Sequence, residues 1–341
     1  MRRLLPVVGV LIILLAAWYV QASFFLPSAE RNVLLMDTFV GIRVTGRNAS
    51  RLADLAVDEM ARLEGLFTAH AKSSEVAAIN DAYPNPVAVS SEVLEVLLLA
   101  REIHQKSDGA FDITVGGLLR LWGFGTEDLR VPSQGEIDSA MHGVGMQYVV
   151  IDEETSTVRT THPATQVDLG GIAKGYIVDK AVQLLQDSGA KHILVDAGGD
   201  VRVYGGRPGE SRFAPARPAR IGVQDPRAAG GLVAIVSTMD GAVLTSGDYE
   251  RFFFANGVRY SHIMDPRSGY PSQGVSSVTV VAHSAALADG IATAAMVLGA
   301  EEGLAFINSW AGVEGMLITE DEDVLLSAAM AEITEVLRTD R

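Results

Sequence analysis

The 341-residue chain contains no cysteine. That absence excludes disulfides, thiolate metal ligands, a cysteine nucleophile and a lipid-modified N-terminal cysteine, while leaving the compartment open. Positive charge is scarce as well: 27 Lys and Arg stand against 42 Asp and Glu, for a formal charge of −15. A nucleic-acid partner wants a basic face, so this balance argues against one; the acidity reads as a solvated surface. No two histidines have zinc-ligand spacing. No Gly-x-Ser-x-Gly elbow occurs, and no P-loop or dinucleotide fingerprint. Aromatics are only 6% of the chain, whereas glycine is plentiful at 34 residues. Much of the backbone must therefore turn tightly or approach something closely.

One long hydrophobic run is present, at the N-terminus. Arg2 and Arg3 precede LLPVVGVLIILLAAWYV, which nothing polar interrupts. As a helix its 17 residues span about 26 Å, at the short end for a hydrocarbon core of about 30 Å. Val20-Gln21-Ala22 offers a signal-peptidase site before Ser23. Residues 1–22 thus read as a signal peptide or a membrane anchor, and residues 23–341 as one exported unit. Positive residues stay inside, which puts that unit on the outer, periplasmic side of the cytoplasmic membrane. Trp18 and Tyr19, placed as interfacial aromatics, favour the anchored form, with the membrane as a partner of the N-terminal helix.

Hydrophobic residues make up 48% of the whole chain, ample for a core. NVLLMDTFVGIRVTG alternates like a strand pair around Gly41. SRLADLAVDEMARLEGLF places Leu52, Leu55, Ala56, Met60, Leu63 and Phe67 on one helical side. SEVLEVLLLAREIHQKS predicts a second amphipathic helix, opened by Ser90 or Ser91. A short polar helix follows Pro132, and a hairpin turns near Glu154. Val167 to Gly171 predicts a strand entering a glycine turn, then a helix, then the strand HILVDAGGDVRVYGG. Residues 205–218 are loop. Successive strands follow, with a hairpin at Asn256-Gly257, and a helix pair and the hairpin MLITEDEDVLLS close the chain. The pattern predicts a compact α+β unit with long helices on a mixed sheet.

Two stretches carry chemistry. In SAALADGIATAAMVLG, residues 284–299, Asp289 and Thr293 are four apart and share a helix face. Two hard oxygens aimed at one spot suit Mg²⁺, which completes its shell with waters and phosphates. In VDLGGIAKGYIVD, residues 167–179, the glycine turn offers backbone to a phosphate, with Asp168 and Lys174 placed to reach the mouth of one pocket. Elsewhere, Asp112 beside Phe111 is a carboxylate in an apolar run that needs partners, and can accept from ligand N–H groups. Trp122 and Phe124 read as core. Thr245, Ser246, Asp248, His262 and Asp265 crowd two segments expected to pair as neighbouring strands; Asp265 reads equally as a turn cap.

The ordered set MDTFVGIRV, SSEVAAIN, GAFDITVGGLLRLWGFG, VDLGGIAKGYIVD, VDAGGDVRVYG, LTSGDYERFF, SHIMDPRSG and SAALADGIATAAMVLG resembles the FAD:protein FMN transferase (ApbE) family, from about Val33 to the C-terminal hairpin. The resemblance implies a two-part, T-fold-like α+β unit with largely antiparallel sheets and a flavin cleft between the parts. It implies Mg²⁺-dependent cleavage of FAD, with FMN moved to a Thr or Ser hydroxyl of an exported acceptor protein and AMP released. It also implies a metal on Asp289, Thr293 and the Gly171 carbonyl. Flavin contacts follow from Met36, Ala110, Phe111, Asp112, Asp168, Lys174 and Ile263.

Three departures stand out. His70 sits where the family often has a stacking tyrosine. Gly117 replaces a usual proline. The chain lacks the lipid-bearing cysteine of many relatives. Asp289 is the expected main ligand, Lys174 an added positive charge, and His262 and Asp248 the candidate bases. Two other functions share these residues: an FAD pyrophosphatase using water as acceptor, and a non-catalytic flavin-binding protein of the envelope.

Overall fold

The computed structural model describes residues 26–337 except 70, 127, 212 and 229. His70 and the N-terminal apolar run lie outside the described residues. Among the described residues, no helix is long and apolar enough to cross a membrane.

The chain opens with the hairpin β1 (Ser28–Leu35) and β2 (Thr38–Thr45), then α1 (Ala49–Phe67) and α2 (Glu75–Asp81). Next come β3 (Val87–Ala88), α3 (Ser91–Lys106), α4 (Gly116–Trp122) and α5 (Gln134–Met141). The hairpin β4 (Val149–Asp152) and β5 (Thr157–Thr160) leads to α6 (Ala173–Asp187). Strands β6 (His192–Ala197), β7 (Asp200–Tyr204), β8 (Ala219–Gln224), β9 (Leu232–Thr238) and β10 (Gly241–Gly247) follow. After β11 (Phe252–Ala255), β12 (Val258–Ser261) and β13 (Val275–Ala282) come α7 (Ala285–Leu298) and α8 (Ala300–Asn308). The described chain ends with β14 (Glu314–Thr319), β15 (Val324–Leu326), α9 (Met330–Ile333) and β16 (Thr334–Val336).

Eight strands form one sheet in the order β1-β2-β6-β7-β10-β13-β14-β15, each neighbouring pair antiparallel. Alternation along its strands divides the core in two. Val40, Ile42 and Val44 of β2 and Ala242 and Leu244 of β10 join the helices in the main core. Val201 and Val203 of β7, Val243 of β10 and Ile318 of β14 join the small sheet β16-β9-β8 in a second core. A third cluster gathers Leu118, Trp122, Phe124, Ile137 and Met264. The fully buried Trp122 donates its indole N–H to the Gly269 carbonyl at 3.0 Å. The segments 110–118 and 263–264 each cross from the main core to this third cluster, so they mark the seam between those two clusters.

The helix caps follow the sequence. Ser90 caps α3, and Ser133 with Glu136 makes a capping box on α5. Several expectations are corrected. The first hairpin turns at Met36-Asp37, both at positive φ (53° and 56°); Gly41 lies inside β2, paired with Asn32. A two-residue turn without Gly or Asn gives only a weak composition signal. HILVDAGGDVRVYGG is two strands, because Gly198 and Gly199 adopt φ of 67° and 97° and reverse the chain. Val167 to Gly171 is not a strand; only Gln166 makes an isolated bridge, to Val115. Leu55 is 37% exposed, and Ala53 is buried instead, since α1 packs against both α6 and the β1–β2 hairpin. The run from Gly109 to Gly125 contains α4 rather than a continuous loop. The α9–β16 segment extends the chain beyond the last expected hairpin and adds an edge to the second core.

Candidate active site

The site is built where the N-terminus of α6 meets α7. Gly175 makes their approach possible: a Cβ there would lie 2.3 Å from the Ala285 carbonyl oxygen. Asp179 of α6 then holds the first turn of α7. It accepts from the Ser284 hydroxyl at 2.7 Å and from the Ala285 and Ala286 N–H groups at 2.9 and 3.0 Å. A carboxylate on those otherwise unpartnered donors is favoured by both hydrogen bonding and the helix dipole.

One turn further on, Asp289 is 7% exposed and accepts from the Gly175 N–H at 3.1 Å. Thr293 places its hydroxyl 3.5 Å from the Gly171 carbonyl oxygen and 3.5 Å from the Ser246 hydroxyl. Thr293 thus meets Gly171, and Asp289 meets Gly175, along the same junction of α6 and α7. Burial pushes the Asp289 carboxyl up to about 7; the Asp200 charge adds to this, while Lys174 and the Gly175 N–H oppose it.

Asp168 and Lys174 make different contacts. Asp168 turns back on its own loop, accepting from the Gly170 N–H at 2.8 Å, and its own N–H donates to the Ile113 carbonyl at 2.7 Å. Lys174 instead contacts the buried Asp200 directly. Burial pulls the Lys174 ammonium down, but Asp200, Asp289 and Glu250 outweigh it and raise its pKa. Asp200 is held in turn by the Thr245 N–H at 3.3 Å. Sequence reading missed Asp200, although an acid directly after the Gly198-Gly199 turn was a usable signal.

Of the expected flavin contacts, Ala110, Phe111, Asp112 and Ile263 lie in the two segments that cross between the clusters. Ala110, Phe111 and Ile263 are buried, and the Phe111 ring lies 3.4 Å from where a Gly171 Cβ would stand. Met36 sits in the β1–β2 turn, its N–H donating to Glu64 at 2.8 Å. Asp112 is fully engaged by the protein. It accepts from the Thr114 N–H and hydroxyl at 2.8 and 2.5 Å and from the Met146 N–H at 3.0 Å. These bonds tie its own loop to Met146.

The two base candidates separate. Asp248 is buried and gripped by Arg227 through two 2.7 Å bonds, with Arg259 at 3.3 Å; it is a structural clasp. His262 faces the Arg251 carbonyl with Nδ1 at 3.3 Å. A carbonyl only accepts, so Nδ1 carries the proton in that bond and Nε2 keeps a lone pair. Burial first, then the Arg251 charge, push this imidazole down to about 4, so it is neutral at pH 7. Asp265 proves to be a turn residue, accepting from Arg267 and the turn backbone. The LTSG strand β10 pairs with β7 and β13, not with the His262 segment, whose partner is β11.

These residues fit a hard divalent cation. Asp289 is a buried acid with one hydrogen-bond donor and a negative neighbour, and Thr293 and Gly171 add neutral oxygens too far apart for a good mutual hydrogen bond. Among the described residues there is no group of three or more His, Cys, Asp and Glu that could hold a metal. One carboxylate with neutral oxygens is the kind of partial set that Mg²⁺ completes with waters and phosphates. The set is one that a hard cation and a phosphate-bearing ligand would suit.

Residues 36–317 match the ApbE family, and the chain belongs to it. It is 34% identical over 322 residues to an FAD:protein FMN transferase of Treponema pallidum (strain Nichols), covering 90% of this chain and 89% of that one. An FAD:protein FMN transferase of Vibrio cholerae is 38% identical over 245 residues, 70% of this chain and 71% of that one. Among solved structures, the ApbE protein of Thermotoga maritima is similar with a TM-score of 0.83 at 36% identity, over 90% of this chain and 99% of that chain. The flavin transferase ApbE of V. cholerae gives 0.80 at 30%, over 90% and 99%.

Proposed function

We propose that this protein is an FAD:protein FMN transferase that uses Mg²⁺ and modifies a Thr or Ser hydroxyl of an exported acceptor protein. The acceptor oxygen bonds to the FMN-side phosphorus of FAD, the bond from that phosphorus to the bridging oxygen breaks, and AMP leaves. Mg²⁺, when bound, supplies charge relief on the pyrophosphate. Asp289, Thr293 and the Gly171 carbonyl hold the cation. Lys174 adds a fixed positive charge beside them. Phe111, Ala110, Ile263 and Met36 form the flavin side of the seam. His262, neutral with Nε2 open, takes the acceptor's proton. The observation that supports this reading is that Thr293 faces the Gly171 carbonyl while Asp289, one turn earlier on the same helix, is bonded to Gly175 at the N-terminus of α6.

The protein acts on the outer side of the cytoplasmic membrane, tethered by its N-terminal segment; the motivation is the Arg2-Arg3 flank and the apolar run after it. Incubation with FAD, Mg²⁺ and a Thr- or Ser-bearing acceptor peptide tests the activity. The peptide is expected to gain the mass of one FMN unit. Free FMN and AMP with an unmodified peptide would turn the reading to a pyrophosphatase, and intact FAD would leave a binding protein.

A further inference from the structure

Two buried carboxylates, Asp200 and Asp289, flank the single ammonium of Lys174, and the three do not divide evenly. Lys174 contacts Asp200. Its charge is also felt by Asp289, whose partner Gly175 is the next residue along α6. A four-carbon stem lets an ammonium reach more than one nearby acid, so something must decide where it settles.

We infer that Asp200 is a positioning residue that holds the Lys174 ammonium away from Asp289 and so keeps Asp289 open to the cation. The inference rests on the reading of Asp289 as a cation ligand. Asp200 is built as the rigid member of the pair. It opens β7 directly after the Gly198-Gly199 turn, and that turn is pressed against the first hairpin: a Gly198 Cβ would stand 2.2 Å from the Thr38 hydroxyl oxygen. The Gly198 N–H bonds the Phe39 carbonyl at 3.0 Å, and Thr245 of β10 supplies the N–H on the carboxylate. Three strands therefore fix the acid, while Lys174 is the mobile partner. Without Asp200, the buried acid left in the field of the ammonium is Asp289, bonded to the residue after Lys174, and an ammonium paired there competes with a divalent cation for the same oxygens.

The test uses Mg²⁺ alone, titrated into the metal-free protein without FAD and followed by calorimetry and by the shift in melting temperature. Asp200→Asn is expected to weaken Mg²⁺ binding by at least about tenfold, the size expected when a like charge settles beside the cation's ligand. Adding Lys174→Met to Asp200→Asn removes the competitor and should restore binding to the wild-type level or better. The double variant replaces a buried ion pair by neutral groups of similar volume, a change that folds tolerate, so it decides the matter even where Asp200→Asn alone does not fold. Wild-type binding in Asp200→Asn would overturn the inference. Weakened binding that Lys174→Met fails to restore would also overturn it, since Asp200 would then act as a ligand or a mere support. Wild-type binding in Asp289→Ala would instead overturn the cation reading beneath it.

Discussion

Asp112 and Asp289 are buried to the same degree, 8% and 7% exposed, and stand in opposite circumstances. Asp112 accepts from two backbone N–H groups and a hydroxyl, with the His104 ring 3.4 Å away. Asp289 has one backbone donor and another carboxylate, Asp200, in its field. A buried carboxylate needs charge-compensating donors. Asp112 has them within the protein and is complete. Asp289 lacks them, and the shortfall is what a cation would fill. Burial alone does not distinguish a structural acid from a ligand; the count of donors does.

The sharpest way to break that comparison is to remove each acid in turn. Asp289→Ala is expected to lower Mg²⁺-dependent FAD turnover by about a thousandfold, the scale of several kcal/mol of lost charge stabilisation. Its melting temperature should hold, because only one hydrogen bond is lost. Turnover within tenfold of wild type in the folded variant would sink the metal assignment.

Asp112→Asn should do the reverse. Its donors would face an amide with half the accepting capacity, and the loss of charge-assisted bonds costs about 3 kcal/mol. A fall in melting temperature of roughly 4–5 °C follows. An unchanged melting temperature would mean that the loop does not depend on this acid, and the contrast with Asp289 would fail.

How much of this was legible beforehand depends on the range of the interaction. Asp289 and Thr293 were found because helical period is a local property, and the start of α3 at Ser90 or Ser91 for the same reason. The Lys174–Asp200 pair was not, since residues 26 apart in sequence meet only after β6 and β7 fold against α6. Asp112 was singled out correctly as a buried acid, but its partners Thr114 and Met146 were invisible, the latter lying beyond α5. Asp248 looked like a base until Arg227, from the loop before β9, closed on it. The hairpin turn at Met36-Asp37 was misplaced because Asp37, without a glycine beside it, is a weaker turn signal than Gly41.

The pH dependence of metal-free stability sharpens the comparison further. The Asp289 carboxyl lies near 7 in the fold against 3.8 ordinarily, so the folded state holds an extra proton between those values. The contribution of this group is therefore full below about pH 4 and is lost as pH rises through about 7. Mg²⁺ replaces that proton, so its stabilising effect should grow over the same range. Melting temperatures with and without Mg²⁺ at pH 5.5 and pH 8 are expected to differ more at pH 8, and Asp289→Asn should abolish the difference. An equal Mg²⁺ shift at both pH values would separate the cation from this carboxylate.

The smallest expected effect comes from Thr293. Its hydroxyl is neutral, stands 3.5 Å from both Gly171 and Ser246, and makes no short bond that the fold depends on. In Thr293→Ala a water can take the vacated position, since Mg²⁺ readily keeps waters in its shell. The loss is then one of orientation rather than of charge. A fall in turnover of about tenfold, or near 1.4 kcal/mol of barrier, is the expected outcome, with a matching rise in the Mg²⁺ concentration needed for half-maximal rate. Raising Mg²⁺ should recover most of the rate in Thr293→Ala and none of it in Asp289→Ala. A Thr293→Ala loss as deep as that of Asp289→Ala, and unresponsive to Mg²⁺, would mean that the hydroxyl acts on the substrate itself and not on the cation.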